Sequence, residues 1–463
     1  MTSLSARRLI PVCIISAAAV AALVAPGAAN AALGAQCSGS NIGGQGSSLQ
    51  KLAQEIWVPN FNTSSEKHAC NGTQGTKATP KINTYNPSGS GAGLKSWGVG
   101  KIGHNYEATN AYIGTDEAPS PTAKAEIEEN ETTLQPKTLA TIPVLQAAVA
   151  VIVNLPEKCE ATSTSNKGRL VLNNVTLEAI WRGSITKWSE ITDNGDKLSG
   201  VGCNAETPIT HVVRLDGSGT THIFKKYLGL ISKTSFPTTN VKNESVGNRT
   251  WNEIAEGSEN QSWPTADAVV RPEATGNGPV IAKVAATPSS IAYANLADAR
   301  ANASFVPPAG GPKKRTFWTP IQNKGDKGEE TVTYADPASN KEVAKKAESN
   351  CSKEEYTDGE SVFPPSSVLE SWSAVTTKTV EPKYTICGLT FDLAFTSFGA
   401  YPGTSLEEAT TANNYLQYVL DTIKEKEGNK INGGQSLIKL HDYEPLTTTV
   451  LKEAQKGAAL VGF

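Results

Sequence analysis

Three short segments place serine and glycine ahead of stretches with helical spacing: Gly44-Gln-Gly-Ser-Ser48, Ser88-Gly-Ser-Gly-Ala-Gly93 and Asp216-Gly-Ser-Gly-Thr-Thr221. The first turn of a helix leaves backbone N–H groups without partners and carries the positive end of the helix dipole, so such starts attract oxyanions. One Ser/Gly-rich start is ordinarily no more than an N-cap; three in one chain make that reading less adequate. The third has an arginine just ahead of it, in Arg214-Leu-Asp-Gly-Ser-Gly-Thr220. A guanidinium supplies planar, directed donors suited to bidentate contact with an oxyanion, and the Ser218 and Thr220 hydroxyls and the Gly219 amide can converge on the same point. A surface salt bridge between Arg214 and Asp216 is the plainer alternative.

Other chemistries lack their residues. In Gly89-Ser-Gly-Ala-Gly-Leu-Lys-Ser96 a leucine separates the last glycine from Lys95, which breaks the spacing of a nucleotide-binding P-loop. The GxSxG nucleophile elbow is absent, because Ser218 and Ser90 are each flanked directly by glycines. His222 lies four residues after Ser218, yet a catalytic base also needs an orienting group, and the spacing is read as incidental. His68, His104, His211 and His441 form no HxxxH or HExxH arrangement, and no close cysteine pair suggests zinc. The expectation is a binding protein, not an enzyme, with no cofactor and no metal.

The elements that must position these groups alternate in type. Ser47-Ser-Leu-Gln50 reads as a Ser-x-x-Gln capping box opening a helix with Leu49, Leu52, Ile56 and Trp57 on one side. Ile142 to Asn154 is β-branched and nearly continuous in apolar residues, as in a strand covered on both faces, with a buried helix as the alternative. Ile209 to Arg214, Ser290 to Ala294 and Tyr384 to Phe395 read as strands in the same way. Between and after them, Thr176 to Trp181, His222 to Leu230 and Asn413 to Lys424 have amphipathic helical spacing. Strands alternating with helices predict α/β architecture. From about Pro307 to Glu360 dense mixed charge predicts a solvated insertion with a mobile tip.

Residues 1–31 carry Arg7 and Arg8, an apolar run between Pro11 and Pro26, and small residues ending at Ala31, the pattern of a secretory signal peptide. Cys13 and Cys37 both lie outside the context of a lipid-anchor site, and no later run is long enough to span a membrane. The remaining roughly 430 residues predict two lobes. Export leaves six cysteines, Cys37, Cys70, Cys159, Cys203, Cys351 and Cys387, whose default reading is disulfides. Fifteen connectivities are open, of which consecutive pairing closes the shortest loops. A net charge of −3, about −5 without the signal, argues against nucleic acid. An anion must therefore be bound by local geometry rather than by bulk charge.

In chain order, Gly44-Gln-Gly-Ser-Ser-Leu, Tyr85-Asn-Pro-Ser-Gly-Ser-Gly-Ala-Gly, Ile113-Gly-Thr-Asp-Glu-Ala-Pro and Ile142 to Asn154 form an ordered series. It continues with Leu170 to Trp188, Val212-Val-Arg-Leu-Asp-Gly-Ser-Gly-Thr-Thr, Ala286-Thr-Pro-Ser-Ser-Ile-Ala-Tyr, Pro320-Ile-Gln-Asn-Lys and Tyr384-Thr-Ile-Cys-Gly-Leu-Thr-Phe. The series resembles the phosphate-binding proteins of the phosphate-specific ABC transporter, within the type II periplasmic-binding-protein superfamily, and covers most of the chain after the signal.

The resemblance implies two α/β lobes joined by two crossing hinge strands, near Ile142 to Val153 and Tyr384 to Leu393. Lobe one would comprise 37–142 and 391–463, and lobe two 143–390 with the charged insertion around 307–360. Inorganic phosphate would be held by Ser48, the backbone of Leu49, Ser90 and Asp116 on one side. Arg214, Ser218, Gly219 and Thr220 would supply the other, with Asp216 positioning the arginine.

Asp116, an acceptor only when ionised, would take a hydrogen bond from protonated phosphate and reject sulfate, which keeps no proton near neutral pH. The sequence departs from many family members in having Ser48-Leu49 where they have Thr-Phe. The implied protein is a monomer, exported to the periplasm, cell envelope or exterior, that hands phosphate to an ABC permease. Two alternatives stand beside it: a secreted phosphohydrolase using Ser90 or Ser218, and a cell-surface interaction protein retaining the binding fold.

Overall fold

A computed structural model describes residues 37–64, 68–70, 82–100, 110–129, 138–161, 169–193, 196–204, 206–240, 242–266, 269–305, 315–323, 333–339, 347–351, 356–357, 365, 367–377, 383–397, 406–422, 424–426, 429–431 and 433–462. The proposed signal peptide, His104 and the charged runs around Lys313, Lys324 and Lys341 lie outside them.

Ten strands form one sheet: β1 (Ile42–Gly46), β2 (Ile82–Asn86), β3 (Tyr112–Thr115), β4 (Leu139–Asn154), β5 (Thr210–Arg214), β6 (Glu273–Ala274), β7 (Ser290–Asn295), β8 (Thr316–Trp318), β9 (Cys387–Phe395) and β10 (Tyr443–Glu444). Their order is β6-β5-β7-β4-β9-β3-β1-β2, with β8 and β10 also pairing to β4. All 16 residues of β4 are buried, as its nearly continuous apolar composition requires of a strand covered on both faces.

The two long strands β4 and β9 run antiparallel and carry the rest. On the far side of β9, β3, β1 and β2 follow; against Val149 to Asn154 of β4 lie β7 and β8. The β4–β9 register runs from Cys387 opposite Ala148 to Phe395 opposite Leu139 and shifts by one residue between Thr390 and Phe391, opposite Leu145 and Pro143. Proline has no N–H for the ladder and is confined to edges and bulges within sheets, so the irregularity falls where the sequence cannot donate.

The four strands read from sequence are all present, with ends moved by up to three residues, and Tyr384 makes only an isolated bridge ahead of β9. Three readings need correction. The capping box is half formed: Ser47 Oγ accepts from Leu49 N and Gln50 N, each at 3.1 Å, but the Gln50 amide donates to Thr390 and Phe391 and never returns to Ser47. Helix α1 (Lys51–Thr63) accordingly starts after the cap and buries Ala53, Trp57 and Phe61. The helix expected to reach Lys424 spans Leu406–Val419, and Lys424 opens a short strand. Part of the presumed insertion belongs to the core: Phe317 and Trp318 are buried in β8, and Arg169 pairs with Asp336.

The six cysteines pair consecutively, Cys37–Cys70, Cys159–Cys203 and Cys351–Cys387. The last bridge fastens the start of β9, next to the crossing pair.

Ile152 of β4 is fully buried between Ala292 of β7 and Trp318 of β8. Replacing it with alanine leaves a cavity at the strand's most constrained point and should cost about 2–5 kcal/mol, read as a lower urea midpoint with an unchanged slope.

Candidate functional site

The sequence-predicted residues gather at the carboxyl ends of the parallel strands. Ser47 and Ser48 follow β1, Asp116 follows β3, Arg214 ends β5, and Ser90 opens helix α2 (Ser90–Ser96) beyond β2. Carboxyl ends of parallel strands are where open α/β sheets place their ligands. Helix α3 (Gly219–Ile231) starts beside them with Ser218 as its N-cap, the Ser218 Oγ accepting from Thr221 N at 3.2 Å.

Arg214 is buried, and its donors are divided between two tasks. Nε donates to Asp216 Oδ1 at 2.7 Å and Nη2 to Asp216 Oδ2, which neutralises the charge. Nη2 also donates to Ser48 Oγ at 3.0 Å, and Nη1 reaches Thr220 Oγ1 at 3.4 Å. Asp216 is itself held by Gly276 N at 3.0 Å. The pair is thus interior rather than the surface salt bridge that sequence left open.

Asp116 faces this group from the other half of the sheet. Ser47 Oγ donates to its Oδ1, Ser90 Oγ to its Oδ2 at 3.3 Å, and its own N–H donates to Ser90 Oγ at 3.1 Å. Burial pushes the Asp116 carboxyl up to about 6, against the hydrogen bond from Ser47 and the attraction of Arg214. The two halves touch here. Gly91 N donates to Gly217 O at 3.0 Å, and a Cβ on Gly219 would lie 2.4 Å from Asp116 Cβ and 2.6 Å from Ser90 Oγ. Only glycine lets α3 approach Asp116 this closely.

All eight candidate binding residues converge, and two of their backbone N–H groups are committed elsewhere. The Leu49 N–H is taken by Ser47, and the Ser218 N–H donates to Asn260 Oδ1 at 3.4 Å. Two participants were not singled out from sequence. Ser47, read only as a cap, also holds Asp116. Asn277 opens helix α4 (Asn277–Ala286) and donates to Ser48 Oγ and Thr220 Oγ1, both at 3.3 Å. Its signal was a fourth Gly-rich helix start, Gly276-Asn-Gly-Pro279.

His222 Nδ1 lies 3.1 Å from Ala255 O, so its ring is engaged away from the Ser218 hydroxyl that a catalytic pairing would use. His211 is buried against Trp181 and held neutral, its pKa lowered to about 3 by desolvation and Arg271. His68 pairs with Asp421 at 2.9 Å.

Fold and site together define a two-lobed α/β protein, with donors and one acceptor facing each other across the carboxyl ends of its strands. A family model described as a PBP superfamily domain matches residues 46–343, and the chain belongs to that superfamily, the periplasmic-binding proteins. It is 29% identical over 159 residues to the phosphate-binding protein PstS of Methanocaldococcus jannaschii, a match covering 33% of this chain and 34% of that one. The match therefore spans about a third of that relative's length.

Among solved structures it is similar to a high-affinity periplasmic phosphate-binding protein with bound phosphate (TM-score 0.52, 16% identity, 90% of this chain and 93% of the other). A human phosphate-binding apolipoprotein (TM-score 0.54, 16% identity) and the phosphate-binding protein of Stenotrophomonas maltophilia (TM-score 0.52, 14%) match over the same shares. At these identities the likeness establishes the two-lobed fold alone.

Because the folded Asp116 carboxyl titrates near 6 against an ordinary 3.8, the folded state holds its proton more tightly, and stability falls as pH rises through that window. Ligand-free protein should lose on the order of 2–3 kcal/mol relative to Asp116→Asn between about pH 4 and pH 7. Urea titrations of both proteins across that range check it; a constant gap would mean the carboxyl is not desolvated.

Proposed function

We propose that the protein is an exported receptor for inorganic phosphate that delivers its ligand to an ABC permease for uptake. The observation that carries this reading is the pairing of a buried guanidinium, Arg214, with a buried carboxylate, Asp116, across a ring of hydroxyls from Ser48, Ser90 and Thr220. A plain anion site would hold donors alone. An ionised carboxylate among them suits an oxyanion that still carries a proton: near neutral pH phosphate brings that hydrogen and sulfate does not. With a pKa of about 6, Asp116 is mainly ionised at neutral pH and able to accept it.

On this reading 37–142 with 391–463 form one lobe, 143–390 the other, and the lobes close on phosphate by bending β4 and β9 near their register shift. Ser48, Ser90 and Asp116 bind from the first lobe, and Arg214, Ser218, Gly219 and Thr220 from the second, with Asp216 orienting the arginine. Asn277 joins them through Ser48 and Thr220. The three disulfides fit an oxidising compartment outside the cytoplasm, in keeping with the signal-like residues 1–31.

Calorimetric titration of refolded, ligand-stripped protein tests the reading. One equivalent of phosphate should bind tightly and sulfate should give no heat; silence with both ions would overturn it. Arg214→Ala should weaken phosphate binding by about 2–5 kcal/mol, much of it from stranding buried partners. Asp116→Asn should chiefly erode discrimination between phosphate and sulfate. Small-angle scattering should show a smaller radius of gyration on adding phosphate to the wild type.

A further inference from the structure

A second convergence lies beside this site, made of side chains the phosphate reading does not use. Glu117 directly follows Asp116 beyond β3, His222 sits in the first turn of α3, and Glu256 follows the short 3-10 turn Glu253–Ala255. His222 Nδ1 is 3.8 Å from Glu117 Oε1, 3.8 Å from Glu256 Oε2 and 3.1 Å from the Ala255 carbonyl oxygen. One ligand atom from each of the three side chains falls within 4.8 Å of the others.

Those separations bracket the edge of a small coordination polyhedron. A tetrahedral ion with bonds of 2.0–2.1 Å sets its ligand atoms about 3.4 Å apart, so each carboxylate stands within a few tenths of an ångström of the distance from the imidazole that such an ion needs. The two carboxylates are already aimed: Gly257 N holds Glu117 Oε1 at 2.9 Å, and Lys226 Nζ takes Glu256 Oε1 at 2.6 Å, leaving Oε2 turned to the imidazole, whose Nδ1 would exchange its proton on the Ala255 carbonyl for the ion. Such outer contacts orient metal ligands. The Glu256 side chain is 45% exposed and offers an entry path, while Glu117 and His222 are only 12–13% exposed.

We propose that Glu117, His222 and Glu256 form a divalent-cation site, of the borderline class represented by zinc, that ties the strand-β3 half of the molecule to the helix-α3 half. Imidazole and carboxylate together suit that class, with a water or the Ala255 carbonyl completing the shell. Glu117 adjoins Asp116 and His222 is one turn from Ser218, so an ion here fastens the arrangement in which both sides of the anion site meet. That linkage rests on the phosphate reading; the cation site itself does not.

The test is a zinc titration of metal-stripped, phosphate-free full-length protein, read by competition with a chromogenic chelator. One equivalent should bind, at least tenfold more weakly in His222→Ala and Glu117→Gln. Glu256→Gln, at the most exposed ligand, guards against misfolding and should weaken zinc several-fold with an unchanged thermal midpoint. Equal zinc affinity in wild type and all three variants, or no uptake by cooperatively folding wild type, overturns the site. Repeating the titration at saturating phosphate should tighten zinc several-fold, by reciprocal linkage; unchanged affinity in a protein that does bind phosphate overturns the bridging role. A protein that fails to bind phosphate leaves the zinc result standing, so the two readings fail separately.

Discussion

The buried guanidinium of Arg214 is the constraint around which the rest of the site is arranged. A lone charge in that position would cost several kcal/mol, and Asp216, two residues on, removes most of the cost by taking Nε and one face of Nη2. The neutralised pair then contributes direction rather than net charge. With Asp116 opposite, the ionised side chains of the site sum to a negative value, so an anion must be attracted by something else. Hydroxyls, the Asn277 amide and the start of helix α3 are what remain, and all are dipoles that the backbone fixes in place. This is how a chain with negative net charge can present an anion site: selectivity is built from orientation, while bulk charge contributes little.

The same logic explains why the site straddles two groups of strands. An acceptor and a guanidinium held permanently in contact would satisfy each other and leave nothing for a ligand. Here Asp116 hangs from β3 and Arg214 from β5, with β9, β4 and β7 lying between them. Continuity through the middle depends on β4 and β9, each buried throughout. Their one register shift falls at Pro143 and Thr390, and Thr390 accepts from Gln50 in the segment leading into α1. A bulge concentrates bending at one place in an otherwise stiff ladder, and the Cys351–Cys387 bridge keeps the adjoining end of β9 from fraying.

Much of this was legible in the sequence because it is local. A strand covered on both faces advertises itself by nearly continuous apolar composition, as Ile142 to Asn154 does, and glycine and serine mark helix starts because backbone geometry demands them there. Arg214, Ser218, Gly219 and Thr220 are close in sequence, and their convergence follows from one strand–turn–helix unit. What was not legible is pairing between remote segments. Thr316 to Trp318 sits inside a stretch of dense charge, and nothing nearby in sequence reveals that it pairs with β4. Ser47 and Ser48 are indistinguishable as residues; which one meets Asp116 and which meets Arg214 is set by the turn after β1. Asn277 gains its role only because helix α4 begins near Ser48 and Thr220, more than 200 and more than 50 residues away in sequence.

Glu117, His222 and Glu256 are the extreme case of the same limit. Metal-ligand motifs are recognisable in sequence when two ligands share a helix or a tight loop, since spacing then fixes distance. These three come from separate elements, and His222 is meaningful only after α3 has packed so that its imidazole meets the segment following Trp251. Their closeness is a by-product of bringing Gly219 against Asp116: the contact that places a helix start beside the carboxylate also carries the residue three positions along that helix to the neighbour of that carboxylate. Any substitution that holds α3 away from Asp116 would therefore disperse both clusters at once, whereas a change in Glu256 would touch only the second.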